Sequence, residues 1–190
     1  KVDGSLCISY FLDGIPRLAT RGSFDSVQAM KANKLLQRYH YRSLDPRLTY
    51  LFELVSPENR IIVDYGDEEK LVLLAAINTN LGVEYTAAEA VTRASTLAGA
   101  LLDFPIVEQL RYSNVEEVVA VQQPNHEGFV LRWPHCGLRL KVKMEEYVKL
   151  HRLLFGLTER KLWEALRDGK SKSDVFGAQL ANPAIADFAE

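Results

Sequence analysis

The sequence is short of several things, and each shortage removes a class of protein. It has two cysteines, Cys7 and Cys136. They are too few for a disulfide framework and lack metal-ligand spacing, so a reduced, intracellular compartment is the simplest reading, cytoplasmic or, in a eukaryote, nuclear. No apolar run approaches the roughly 18–20 residues that cross a bilayer, and no secretory pattern opens the chain, so no membrane partner is expected. There is no excess of positive charge: 23 Lys and Arg stand against 25 Asp and Glu, for a net charge of -2. A protein that grips nucleic acid by charge alone is usually basic, so any such surface must be local. The four histidines, His40, His126, His135 and His151, form no metal-spaced cluster. Internal repeats and low-complexity linkers are also missing, and nothing specifies an oligomeric state. What remains is 190 residues, 47% hydrophobic, enough for one sizeable core and about one domain with an appendage.

Local patterns predict antiparallel strands with interspersed helices, an α+β arrangement. Strands over 5–12 and 15–20 flank Asp13-Gly14, a two-residue hairpin signal. A helix is expected from Ser23, as its cap, to about Tyr39, with Val27, Met30, Lys34 and Leu35 at helical spacing and Lys31, Lys34, Gln37 and Arg38 exposed. Strands are read over 50–55 and 60–65 around Ser56-Pro57-Glu58-Asn59, and the apolar run 71–77 reads as a buried central strand. Thr86 with Glu89 forms a capping-box pattern before a helix to about Asp103. Residues 114–121 are ambiguous and allow a short helix. A hairpin over 128–133 and 138–143 precedes helices at about 145–155 and 158–167. The tail after Gly169 is not assigned.

The chain opens with Lys1-Val2-Asp3-Gly4-Ser5 and no lead-in, which suggests a piece cut from a longer protein. A lysine that attacks a phosphorus centre must first lose its proton, through desolvation or neighbouring cations. A glycine beside it lets backbone approach a nucleotide closely, and a serine adds a hydroxyl. Lys141 and Lys143 lie two apart on a strand, so both leave one face, where they would stabilise a polyphosphate. Glu53 and Glu127 sit in apolar strands, where a carboxylate needs a ligand, metal or cation.

Taken in order, Lys1-Val2-Asp3-Gly4-Ser5, Phe52-Glu53, His126-Glu127-Gly128-Phe129-Val130 and Leu140-Lys141-Val142-Lys143 resemble the motifs of the covalent nucleotidyltransferase superfamily of ligases and capping enzymes. Phe52-Glu53-Leu54-Val55-Ser56-Pro57 with Asn59-Arg60-Ile61, and Lys141-Val142-Lys143 with Tyr147-Val148-Lys149-Leu150-His151, resemble the T-even phage type of ATP-dependent RNA ligase that joins single strands. The resemblance implies a ligase adenylation fold with antiparallel sheets and an ATP cleft between them. It implies a nucleotidyltransferase core over 1–143, truncated at its N-terminus, and a helical extension over 144–190.

It also implies roles. Lys1 would be the nucleophile, with Asp3, Gly4 and Ser5 completing its loop. Glu53 would hold the ribose, and Glu127 would help place Mg²⁺ or Mn²⁺. Lys141 and Lys143 would contact the triphosphate, and Arg21, before Gly22-Ser23, a phosphate. Asn59 and Arg60 either hold their turn or, for Arg60, touch a phosphate. The implied reaction joins an RNA 5′-phosphate to a 3′-hydroxyl through a lysyl-AMP, in the repair of RNA, tRNA included. The alternatives are a DNA ligase, a capping-type enzyme, or a non-catalytic ATP- or RNA-binding module. Lys1→Ala is expected to abolish adenylylation with little loss of stability.

Overall fold

The structure is a computed structural model that describes residues 1–99, 101–156 and 159–171. The chain divides into two compact units. One comprises Val2–Ile61 and Tyr65–Arg111; the other comprises Lys1, Ile62–Asp64 and the described residues from Tyr112 onward.

The first unit is built on a five-stranded antiparallel sheet. Its strands are β1 (Ser5–Leu12), β2 (Ile15–Ala19), β3 (Thr49–Val55), β4 (Lys70–Asn78) and β5 (Val83–Thr86), in the spatial order β2-β1-β3-β4-β5. The β1–β2 hairpin turns at Asp13 and Gly14, both at positive φ (50° and 74°), as a twist-matched two-residue turn requires. β3 is central, and its Phe52 and Leu54 are fully buried with Leu71 and Leu73 of β4. Burial of side chains of this size stabilises by about 1.5–3 kcal/mol each. β4 is an interior strand, as its apolar run predicts. β5, which the sequence reading missed, pairs with its second half.

Helix α1 (Val27–Leu36) is shorter than expected and is capped by Ser26, whose hydroxyl accepts the Ala29 N–H. Ser23 instead closes the preceding turn, accepting the Asp25 N–H on its hydroxyl and the Thr20 N–H on its carbonyl. The buried face also differs. Val27 and Met30 are 73% and 59% exposed, while Ala29, Ala32, Leu35 and Leu36 are buried. The small alanines allow close packing, and Asn33 fixes the register by pairing with both the N–H and the carbonyl of Leu18 (2.9 and 2.7 Å). Lys31, expected in solvent, is ion-paired with Glu58 and Glu69.

Helix α2 (Ala87–Ala98) has both halves of its capping box, and Gly99 ends it in the left-handed conformation, earlier than the predicted Asp103. Residues 60–65 are not a strand. β1 and β4 already occupy both edges of β3, so no partner is left there; Pro57–Asn59 forms a short 3-10 turn instead. Ile62 and Val63 are buried even so.

The second unit contains a two-stranded antiparallel sheet of β6 (Gly128–Trp133) and β7 (Leu138–Lys143). It also contains helices α3 (Val115–Ala120), α4 (Glu145–Gly156) and α5 (Glu159–Arg167). The ambiguous 114–121 stretch resolves as a helix because Asn114 caps it, accepting the Glu117 N–H. The Asn125 side chain bonds the backbone of Asp64 on both its N–H and carbonyl (2.7 Å each), tying 62–64 into this unit. Thr158 and the tail from 172 lie outside the described residues. No helix among the described residues is long and apolar enough to cross a membrane.

Candidate active site

The second unit assembles a charged cluster around Glu127, which immediately precedes β6 and is only 3% exposed. Lys1 Nζ donates to one carboxylate oxygen at 2.5 Å, and Lys143 Nζ lies 3.0 Å from the other. The Lys1 backbone nitrogen also donates to the Gly128 carbonyl at 2.6 Å. A buried carboxylate demands such partners, since desolvation without them is costly. Lys1 and Lys143 thus answer the Glu127 charge from both of its oxygens.

Gly128 explains how the cluster closes. Its φ is 138°, and a Cβ there would lie 2.0 Å from the Val142 carbonyl oxygen and 2.8 Å from Lys143 Cα. Only glycine lets β7 come this near, and Gly128 and Lys143 are direct cross-strand partners. Downstream, the Met144 N–H donates to the Glu127 carbonyl at 3.0 Å. The Lys143 ammonium sits 4.7 Å over the ring of Tyr147, a buried α4 residue, in cation–π contact. Lys141 leaves the same face of β7 and is exposed.

The first unit holds the rest of the predicted set. Gly4 approaches β3 so closely that a Cβ would lie 2.3 Å from the Leu54 carbonyl oxygen and 3.1 Å from Glu53 Cγ. Glu53 is 8% exposed on the central strand. The Asp3 N–H donates to the Tyr65 hydroxyl (2.9 Å), and the Ser5 hydroxyl donates to Asn59 Oδ1 (3.1 Å). Asn59 in turn donates to the Leu54 carbonyl at 3.3 Å, so one amide ties the Gly4-Ser5 loop to the end of β3. The positioning parts of Tyr65 and Tyr147 escape sequence reasoning, because each acts through a tertiary contact. The buried Cys7 thiol, two residues past Ser5, is pushed up to about 12 by burial and by the negative charge of Glu53. Arg21 is exposed in the turn after β2; no described contact joins it to Glu53 or the Gly4-Ser5 loop.

Comparison with known proteins gives the family. A family model described as RNA ligase matches residues 1–148. The chain belongs to the RNA ligase family. A Thermovibrio ammonificans protein provisionally named an RNA ligase is 28% identical over 97% of this chain and 50% of its own length. An Autographa californica nuclear polyhedrosis virus protein provisionally named a bifunctional polynucleotide kinase/RNA ligase is 26% identical over 80% of this chain and 23% of its own length. This RNA ligase family member therefore spans half, or less, of the length of these relatives. Its fold is that of solved Naegleria gruberi RNA ligase. The form with PPi gives a TM-score of 0.59 at 16% identity, and a mutant with AMP and Mn gives 0.60 at 16%; each match covers 80% of this chain and 50% of that one. The α+β nucleotidyltransferase fold with antiparallel sheets is thus established.

Proposed function

We propose that this chain carries the nucleotidyl-transfer machinery of an ATP-dependent RNA ligase, with the core in residues 1–143 and an extension beginning at 144 that carries α4 and α5. The observation that carries the reading is the meeting of Lys1, Glu127 and Lys143 at 2.5 and 3.0 Å, across most of the sequence, in a chain of this family.

In the first step Lys1 Nζ attacks the α-phosphorus of ATP. An N–P bond forms, the bond to the β-phosphate bridging oxygen breaks, pyrophosphate leaves, and the nitrogen loses its proton to solvent. Glu127, within hydrogen-bond distance, orients that nitrogen. Lys143 and Lys141 offer one cationic face to the phosphates. Glu53, a buried carboxylate on β3 beside the Gly4 loop, would accept from a ribose hydroxyl. Gly4 lets the main chain of the Asp3-Gly4-Ser5 loop come close, and Arg21 contributes a phosphate contact. The lysyl-AMP then passes AMP to an RNA 5′-phosphate, and attack by a 3′-hydroxyl seals the strand and releases AMP. The setting is RNA end repair, cleaved tRNA included.

A divalent cation, Mg²⁺ or Mn²⁺, would when bound neutralise phosphate charge. Among the described residues no three His, Cys, Asp or Glu side chains group as metal ligands. The single buried carboxylate of Glu127 fits a cation that keeps most of its waters and draws its other oxygens from substrate phosphates. Naegleria RNA ligase mutants solved with ATP and Mn and with AMP and Mn support a nucleotide and a cation of this kind.

The test is intact mass after incubation with ATP and Mg²⁺. An AMP adduct that disappears in Lys1→Ala supports the reading, and comparison with GTP separates a capping-type enzyme. Matched RNA and DNA ends then separate RNA from DNA ligation. A folded protein that ATP stabilises without forming an adduct would instead be a nucleotide-binding module.

A further inference from the structure

A cavity of about 500 Å³ opens in the first unit between residues 42–50 and helix α2. That volume lies within the ~300–1,000 Å³ of small-ligand clefts. Its floor is apolar, formed by Leu44, Leu48, Tyr50 and Ala90, all buried. Its charged residues are Arg42, Arg47, Arg93 and Asp45, leaving two positive charges in excess. The guanidiniums are pre-set. Arg47 grips both Asp45 oxygens through Nε and Nη2 (2.7–3.1 Å). Arg93 is stacked 4.4 Å over the Tyr85 ring. Asp45 is held below the usual carboxylate range, chiefly by its hydrogen bond to Arg47.

An apolar floor under a rim of arginines matches one chemical class, a nucleotide unit: a flat base for the floor and a phosphate for the planar guanidinium forks. We propose that this cleft is a docking subsite for single-stranded RNA, taking one nucleotide of the strand with its phosphate at Arg42 and Arg93. The identity of the strand rests on the ligase reading above; the geometry of the cleft does not. Arg47 contributes less, because Asp45 already neutralises it.

The test is fluorescence anisotropy of a labelled single-stranded oligoribonucleotide, titrated at several salt concentrations between about 50 and 200 mM. Each phosphate contact to a single strand contributes about 0.7 to the slope of log K against log salt. Arg42→Ala with Arg93→Gln removes the grip on that one phosphate and should therefore flatten the slope by about 0.7 and weaken binding roughly five-fold near ~0.1 M salt. Asp45→Asn should act in the opposite sense, tightening binding by removing the competing charge, an outcome that misfolding cannot mimic. An unchanged slope in the double variant, or weaker binding in Asp45→Asn, overturns the proposal. Excess free AMP should compete poorly with the strand; equal competition at equal nucleotide concentration would make the cleft a free-nucleotide site and overturn the assignment to RNA. The ATP adduct is measured on the same proteins and should be unchanged by the cleft substitutions. Its absence from the unaltered chain would sink the ligase reading while leaving the RNA titration to judge the cleft.

Discussion

Glu127 is shared unequally by its two lysines, and the inequality is measurable. The Lys1 side chain is 17% exposed and its Nζ lies 2.5 Å from the carboxylate; the Lys143 side chain is 38% exposed and its Nζ lies 3.0 Å away. A charge-assisted hydrogen bond in a largely desolvated setting contributes about 1.5–3 kcal/mol. One whose cation reaches water is screened and contributes about 0.5–1 kcal/mol. Double-mutant cycles with Glu127→Gln against Lys1→Met and against Lys143→Met should therefore give a coupling near 2 kcal/mol for Lys1 and under about 1 kcal/mol for Lys143. Urea unfolding followed by tryptophan fluorescence is a suitable assay, since Trp133 on β6 and Trp163 on α5 lie in the same unit. With a denaturant slope of about 2 kcal/mol/M, a 2 kcal/mol coupling corresponds to a midpoint shift of about 1 M. Equal couplings, or a larger one for Lys143, would refute the reasoning. The same geometry revises the expectation that Lys1 is dispensable for stability: its ammonium is the closer of two cations holding a buried charge.

Gly128→Ala should be the more damaging of two glycine substitutions. Its Cβ meets backbone at 2.0 Å at a φ of 138°, whereas Gly4→Ala meets the Leu54 carbonyl oxygen at 2.3 Å with no positive φ to strain. Losses of about 2–5 and 1–3 kcal/mol should appear in thermal melts at about 2–4 °C per kcal/mol, and the reverse order would count against the strand packing described. Asn59→Ala should slow adduct formation while costing only about 1 kcal/mol of stability, because the amide positions the Ser5 loop; an unchanged rate in single-turnover mass spectrometry would remove that role. At pH 8 a thiol reagent should label Cys136 quickly and leave Cys7 until denaturant is added. Cys7 is buried with a pKa of about 12 and Cys136 is exposed, so the Cys7 thiol stays protonated well above the assay pH; prompt reaction of both thiols would contradict its burial.

What was legible in the sequence was mostly local chemistry. Asp13-Gly14 and the Thr86–Glu89 box carry their geometry in a few adjacent residues, so the first hairpin and the start of α2 were readable. The start of α1 was not, because Ser23 and Ser26 are both competent caps and the choice falls to the Thr20–Ser23 turn, which only the folded chain displays. Residues 60–65 have strand composition, but pairing needs an open edge, and both edges of β3 are taken. β5 was missed because four residues with Glu84 among them carry no strong alternation; β4 supplies the pairing. Periodicity could place Lys141 and Lys143 on one face. It could not bring Lys1 to Glu127, 126 positions away; that expectation came from motif order alone. Arg21 has no described contact that places it beside the other predicted groups.

The two acids most central to the proposal are held by the same device in separate units. Glu53 and Glu127 are both buried. Each has beside it a glycine whose missing Cβ lets a second stretch of main chain come within contact distance: Gly4 against Leu54 and the Glu53 side chain, Gly128 against Val142 and Lys143. A carboxylate fixed this way cannot swing out to recover its hydration, because the strand that carries it and the chain that covers it are locked by backbone rather than by adjustable side chains. Its charge must then be answered by groups held close to it, as Lys1 and Lys143 answer Glu127. Enlarging either glycine would thus do more than destabilise a strand. It would let the acid relax toward water and weaken the electrostatic demand that makes a dry, charged site select its ligands.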